Sequence, residues 1–117
     1  MAHELDHVHT IYVGALTGER QFGQRLVQAL KDTGCCKITY DRSEADAVLE
    51  ARGTNTEDGF DGTLILRDRQ GNELWSAHAL RPHGSAGPMA YERLVAQIRD
   101  ALPPSSQATR GVEQLVH

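Results

Sequence analysis

Three groups of residues in this chain are of types that do chemistry. The first is His3-x-x-x-His7-x-His9, with Glu4 and Asp6 between the histidines. Imidazoles four residues apart meet on one helical turn and can take Zn²⁺, Ni²⁺ or Cu²⁺. His78 and His83 are further candidates to complete such a set. The run has no flanking helix signal, so a loose arm that picks up metal only opportunistically is the plainer reading. No structural metal and no cofactor are expected. The second group is Cys35-Cys36. A vicinal disulfide requires a strained peptide, a feature that marks functional sites where it occurs. The plainer reading packs Cys36 inward at the head of a strand and leaves Cys35 exposed after Gly34. Two cysteines do not by themselves define an oxidising compartment. The third group is Ser76 and His78 on one strand face, with Asp68 at the far end of the same hairpin. A Ser-His-Asp relay needs a nucleophile elbow or an oxyanion loop, and the sequence has neither. The Gly-rich stretch at 84–88 (GSAGP) lacks the Lys-Ser/Thr of a phosphate loop. No catalytic residue is assigned.

The elements that would position these groups follow from periodicity and punctuation. Residues 10–16 (TIYVGAL) are rich in strand formers, and residues 19–33 repeat apolar side chains at Phe22, Leu26 and Leu30. Gly34 is placed to end that helix in a left-handed cap. Cys36, Ile38 and Tyr40 alternate with polar residues as a short half-buried strand. Residues 41–46 (DRSEAD) make a polar turn, with Ser43 as a candidate cap. Residues 47–54 form the next strand, and 55–61 (NTEDGFD) read as a turn-rich loop. Residues 62–67 and 72–78 flank Asp68-Arg69-Gln70-Gly71 as a hairpin. Residues 79–87 read as a flexible connection. Pro88 suits a first helical turn, and Tyr91, Leu94, Val95, Ile98 and Leu102 continue as a helical stripe until Pro103-Pro104 stops it.

The order is β-α-β-β-β-β-α, an α/β (α+β) domain with one mixed sheet and two helices on one face. Residues 1–9 are a flexible His-rich arm, 10–102 the single domain and 103–117 a flexible tail. At 117 residues the chain can bury one core without staples. Its composition, 39% hydrophobic and 24% charged, is that of a globular protein. The net charge of −4, without a basic cluster, argues against nucleic acid as a partner. Protonating all six histidines would turn −4 into +2, so charge-driven contacts can change sign in mild acid. No apolar run approaches the ~20 residues of a membrane span.

With the helices on one side, the other face of the sheet carries Val48, Glu50 and Arg52 beside Thr63, Ile65 and Arg67. Glu50 and Arg52 are expected to form a cross-strand ion pair. Mixed apolar and charged positions of this kind suit a docking surface or dimer interface. Val48, Glu50, Arg52, Ile65 and Arg67 are the candidate contact residues.

Two segments carry a family likeness. Residues 43–49 (SEADAVL) and 64–77 (LILRDRQGNELWSA) resemble the acidic turn, Ala-Asp and apolar strand, and the Asp-x-x-Gly-x-x-Leu-Trp-Ser hairpin, of small bacterial envelope domains. That group includes the TolB amino-terminal domain, CsgG-like domains of curli secretion and LptE-like lipoproteins. In physical terms the Gly relieves the turn, the Asp bonds its backbone and the Trp anchors the hairpin. The resemblance covers about residues 10–102, although the sequence has no lipobox Cys near its start and Cys35-Cys36 has no place in the pattern. It implies a non-enzymatic accessory domain, periplasmic or outer-membrane-associated, that binds a protein partner or itself. A native start at Met1 would instead favour the cytoplasm. The alternative role is a small metal- or ligand-binding protein that uses the histidine arm.

Overall fold

The computed structural model describes Leu5 and residues 7–102. The chain runs β1 (Thr10–Gly18), α1 (Arg20–Thr33), β2 (Lys37–Thr39), a 3-10 turn (Arg42–Glu44), β3 (Ala47–Asn55), β4 (Gly59–Arg67), β5 (Glu73–Pro82) and α2 (Ala90–Ala101). The sheet order is β2-β1-β3-β4-β5. A helical crossover forces β1 and β2 to run parallel, and β3 returns parallel on the other side of β1. The two tight connections that follow make β3–β4 and β4–β5 antiparallel. This is the mixed sheet with two helices expected from the sequence.

The helices end where the sequence supplies groups for their unpaired backbone. Glu19 caps α1 by accepting from the Gln21 N–H, and Gly34 closes it at φ 66°, its N–H donating to the Lys31 carbonyl. Phe22, Leu26 and Leu30 face the sheet. On α2, Leu94, Val95 and Ile98 do the same. They meet Ile11, Leu49, Leu64 and Leu66 in one core, whose large side chains are fully enclosed.

Several boundaries differ from the sequence reading, each for a physical reason. The expected loop 55–61 is mostly strand, because backbone pairing to a neighbour does not need apolar side chains. Only residues 56–58 turn, closed by Thr56 N–H to Gly59 O and Gly59 N–H to Thr56 O. Gly59 sits at φ 144° against the Arg81 carbonyl, where a Cβ would lie 2.2 Å from the oxygen. The longer β4 in turn recruits 79–82, read as flexible connection, into β5. Pro88 precedes the helix rather than opening it, and Met89 is the N-cap. Asp41, not Ser43, caps the 3-10 turn. Tyr40 is 80% exposed because β2 stops one residue earlier, and its hydroxyl accepts from Lys31 Nζ.

The stretch expected as a loose arm is tied down where it is described. Leu5 and Val8 are 3% and 1% exposed in the core, and the Lys37 N–H donates to the His9 carbonyl. The Asp46 carboxylate accepts from the His9 and Thr10 N–H groups, at 2.9 and 3.0 Å. Residues 103–117 lie outside the described residues.

Candidate functional site

The face of the sheet opposite the helices is built by alternation. Register places Val48 beside Arg67, Glu50 beside Ile65 and Arg52 beside Thr63. Their neighbours Leu49, Ala51, Leu64 and Leu66 point the other way and are buried. β1 adds Tyr12 and Thr17, paired with Val48 and Arg52, and β5 adds Ser76 and His78, paired with Ile65 and Thr63.

The five expected contact residues therefore share one face, but they are not equivalent. Val48 is only 5% exposed. It lies against Gly14, where a Cβ would come within 2.9 Å of it, and shares an open hollow with Arg42, Ser43 and Arg69. Arg69 reaches the 3-10 turn there by donating to the Ser43 carbonyl. Val48 thus belongs to the support of the face and not to its surface. Glu50 pairs with Arg67 at 3.2 Å, not with Arg52 as expected. Residues 50 and 52 are two apart on one strand, whereas Arg67 reaches across from β4, next to Glu50's direct partner Ile65. Among the described residues the Arg52 guanidinium has no partner. At the centre is a shallow depression of about 320 Å³ lined by Ala15, Thr17, Glu50, Arg52, Thr63 and Ile65.

His78 contacts Asp61 on the same face through Nε2 and Oδ1, a pair the sequence reading missed. Asp61 stood in an expected loop, so no strand register was available to bring it beside His78. Ser76 sits two residues along β5, about 7 Å away by strand geometry. Asp68, the acid considered from sequence, instead organises the β4–β5 turn, accepting from the Gln70 and Asn72 N–H groups. The Asn72 backbone bond, with its side-chain amide and the Gln70 and Gly71 N–H groups, holds the Asp68 carboxyl below the ordinary carboxylate range.

Of the histidines considered for metal, His3 lies outside the described residues, and His7 and His9 are exposed. Among the described residues no three His, Cys, Asp or Glu side chains gather as metal ligands. Also among these, no helix is long and apolar enough to cross a membrane. The thiols are placed the opposite way from expectation: Cys35 is 3% exposed, and Cys36 is the partly open one. The left-handed turn at Gly34 swings residue 35, not 36, into the core.

A second concavity, of about 290 Å³, opens where both helices begin. Phe22, Phe60 and Tyr91 line it with Arg25, Arg81 and His83. The two phenyl rings are 5.3 Å apart, tilted by 42°. The sequence shows each residue but not the convergence of the strand ends that creates the cleft.

No protein-family model matches the chain, and no curated protein matches it. Solved structures share its architecture. TolB from Acinetobacter baumannii superposes with a TM-score of 0.56 at 14% identity, over 82% of this chain and 27% of that one. This chain thus spans about a quarter of TolB's length. The PelC dodecamer of Paraburkholderia phytofirmans superposes with a TM-score of 0.52 at 20% identity, over 89% of this chain and 91% of that one. The likeness to the TolB-containing group of envelope domains, carried in the sequence by the acidic turn and the Trp75 hairpin, holds at the level of the fold.

Proposed function

We propose that this chain is a non-enzymatic accessory domain of the bacterial cell envelope, periplasmic or outer-membrane-associated, that works by docking protein on its open sheet face. One observation carries the reading. The helices cover only one side of the sheet, leaving Ile65 part-buried among Glu50, Arg52 and Thr63, with which it lines one depression. An apolar centre within a polar rim is the anatomy of a protein interface.

The occupant we infer is a second copy of the chain. A two-fold contact closes with one patch on each partner. Arg52, whose charge has no partner among the described residues, then meets the outer carboxylate oxygen of the other copy's Glu50. That PelC, with a similar fold, is a dodecamer supports self-association for this architecture. Light scattering over a concentration series tests the reading. The wild type is expected to exceed monomer mass as concentration rises, and Ile65→Asp to remain a folded monomer. A wild type that is monomeric at every concentration overturns self-association and leaves docking of a different protein.

A further inference from the structure

The geometry points to a thiol–disulfide exchange site at the turn after α1, where we propose that Cys36 attacks an external disulfide and Cys35 resolves it into a vicinal Cys35–Cys36 disulfide. This is independent of the docking face, which lies on the other side of the sheet.

The site is built by the helix end. Gly34 at φ 66° turns the chain so that Cys35 enters the core while Cys36 stays partly open. The Thr33 hydroxyl fixes the turn, accepting from the Cys35 N–H at 3.3 Å and donating to the Leu30 carbonyl at 2.9 Å. The two sulfurs are left 3.5 Å apart, in hydrogen-bond contact. An attacking thiol must be reachable, and its resolving partner must be close and shielded from competing reagents. Cys36 meets the first requirement and Cys35 the second.

Ionisation starts on the other sulfur, so attack by Cys36 requires a proton transfer across the 3.5 Å contact between the two thiols. The Cys36 hydrogen bond, helped by Thr33, draws the Cys35 thiol down to about 6 against the opposing effect of burial. Its partner Cys36 is pushed up by that hydrogen bond and by burial, so the pair shares one proton at neutral pH. The exchange then balances. The shared proton moves to Cys35, and the Cys36 thiolate attacks a small disulfide RSSR, forming Cys36–S–S–R and releasing RS⁻. That thiolate takes the proton from Cys35 and leaves as RSH. The Cys35 thiolate attacks Cys36 Sγ, closes the protein disulfide and expels the second RS⁻, which is protonated by solvent. The protein loses two electrons and its one shared proton, solvent supplies the second proton, and RSSR becomes two RSH. The small ring includes the Cys35–Cys36 peptide bond and is strained, so a dithiol should reopen it readily.

Oxidised glutathione is the probe, used on the reduced full-length chain, with intact mass read under non-reducing conditions. The wild type is expected to give a monomer lighter by two hydrogens with no free thiol. Cys35→Ser, and equally Cys35→Ala, should stop at a stable glutathionyl adduct, since the attacker remains without its resolver. Cys36→Ser should stay unreacted while folded. Circular dichroism establishes that each variant keeps its secondary structure. Any of four results overturns the assignment: a persistent adduct on the wild type, a disulfide-linked dimer, no reaction, or Cys36→Ser reacting as fast as wild type.

Discussion

The two faces of the sheet are made from the same strands, residue by residue, yet they solve different problems. On the helix side, Leu49, Leu64 and Leu66 interlock with Leu26, Leu30, Leu94 and Ile98, and exclude water completely. On the open side, the adjacent residues Glu50, Ile65 and Arg67 meet one another across strands and remain part-exposed. The first face determines whether the chain folds. The second, apart from the buried Val48, contributes little to that core, which is where recognition can be placed. Substitutions at neighbouring positions should therefore separate into two kinds, and that separation can be broken experimentally.

The largest effect belongs to the helix side. Leu64→Ala should lower unfolding stability by about 2–5 kcal/mol, through lost burial and the cavity left beneath both helices. Urea denaturation followed by circular dichroism measures it, and a loss comparable to an ordinary surface substitution would break the distinction. Overfilling the same side should cost less. A Cβ on Gly53 would lie 2.6 Å from the Phe22 ring and 2.7 Å from the Phe60 ring. Gly53→Ala should thus destabilise by about 1–3 kcal/mol, as aromatic rings in a packed core cannot retreat without strain. An unchanged denaturation midpoint would mean that the rings move aside, and that the cleft they line is soft.

The helix side was largely legible in the sequence. Phe22, Leu26 and Leu30 announced one helix, and Leu94, Val95 and Ile98 the other, because burial on one face imposes a period that side-chain type records. Alternation likewise assigned Glu50, Arg52, Ile65 and Arg67 to the opposite face. Four things were not legible. Strand pairing through 55–61 and 79–82 rests on backbone hydrogen bonds, which polar side chains do not advertise. The burial of Val48 beside Gly14, Arg42 and Arg69 joins residues far apart in the sequence. The choice of Arg67 as partner for Glu50, and of Asp61 for His78, depends on register. The order of the two thiols follows Gly34, whose left-handed turn was foreseen without the side to which it sends each thiol. Local pattern reveals which face a residue takes, and register decides what it touches.

A smaller effect sits at the margin between the faces, where the amino-terminal segment is pinned. Burial alone would raise the Asp46 carboxyl, but the N–H groups of His9 and Thr10, with the nearby His9 and His7 imidazoles, hold it below the usual carboxylate range. A carboxylate with a depressed folded-state pKa stabilises the fold above its unfolded value near ~3.9, and that contribution fades as pH falls through the folded value. Stability should accordingly decline below about pH 4, and less steeply in Asp46→Asn. At neutral pH, Asp46→Ala should cost about 1–2 kcal/mol, since both N–H groups lose their charged acceptor. Identical acid profiles for wild type and Asp46→Asn would show that this carboxylate does not pin the segment.

The smallest effect on stability should come from Ile65, one residue from Leu64, and it gives the sharpest contrast. Ile65→Lys places an ammonium directly across from Glu50, where opposite charges on paired strands are favourable. The side chain points away from the helices, so the cost to folding should stay within about 0.5 kcal/mol, as for surface substitutions generally. Its effect on association should be much larger. In a two-fold contact centred on this face, two such lysines approach each other and neither can be solvated. A loss of about 2–4 kcal/mol in association, as central interface residues show, weakens self-association by roughly 30- to 1,000-fold. Sedimentation velocity across a concentration series reads that shift, and urea denaturation of the same sample reads the stability. Unchanged association with unchanged stability would mean that the open face is merely solvated. A stability loss as large as that of Leu64→Ala would mean that Ile65 serves the core, and the distinction between the two faces would fail at its centre.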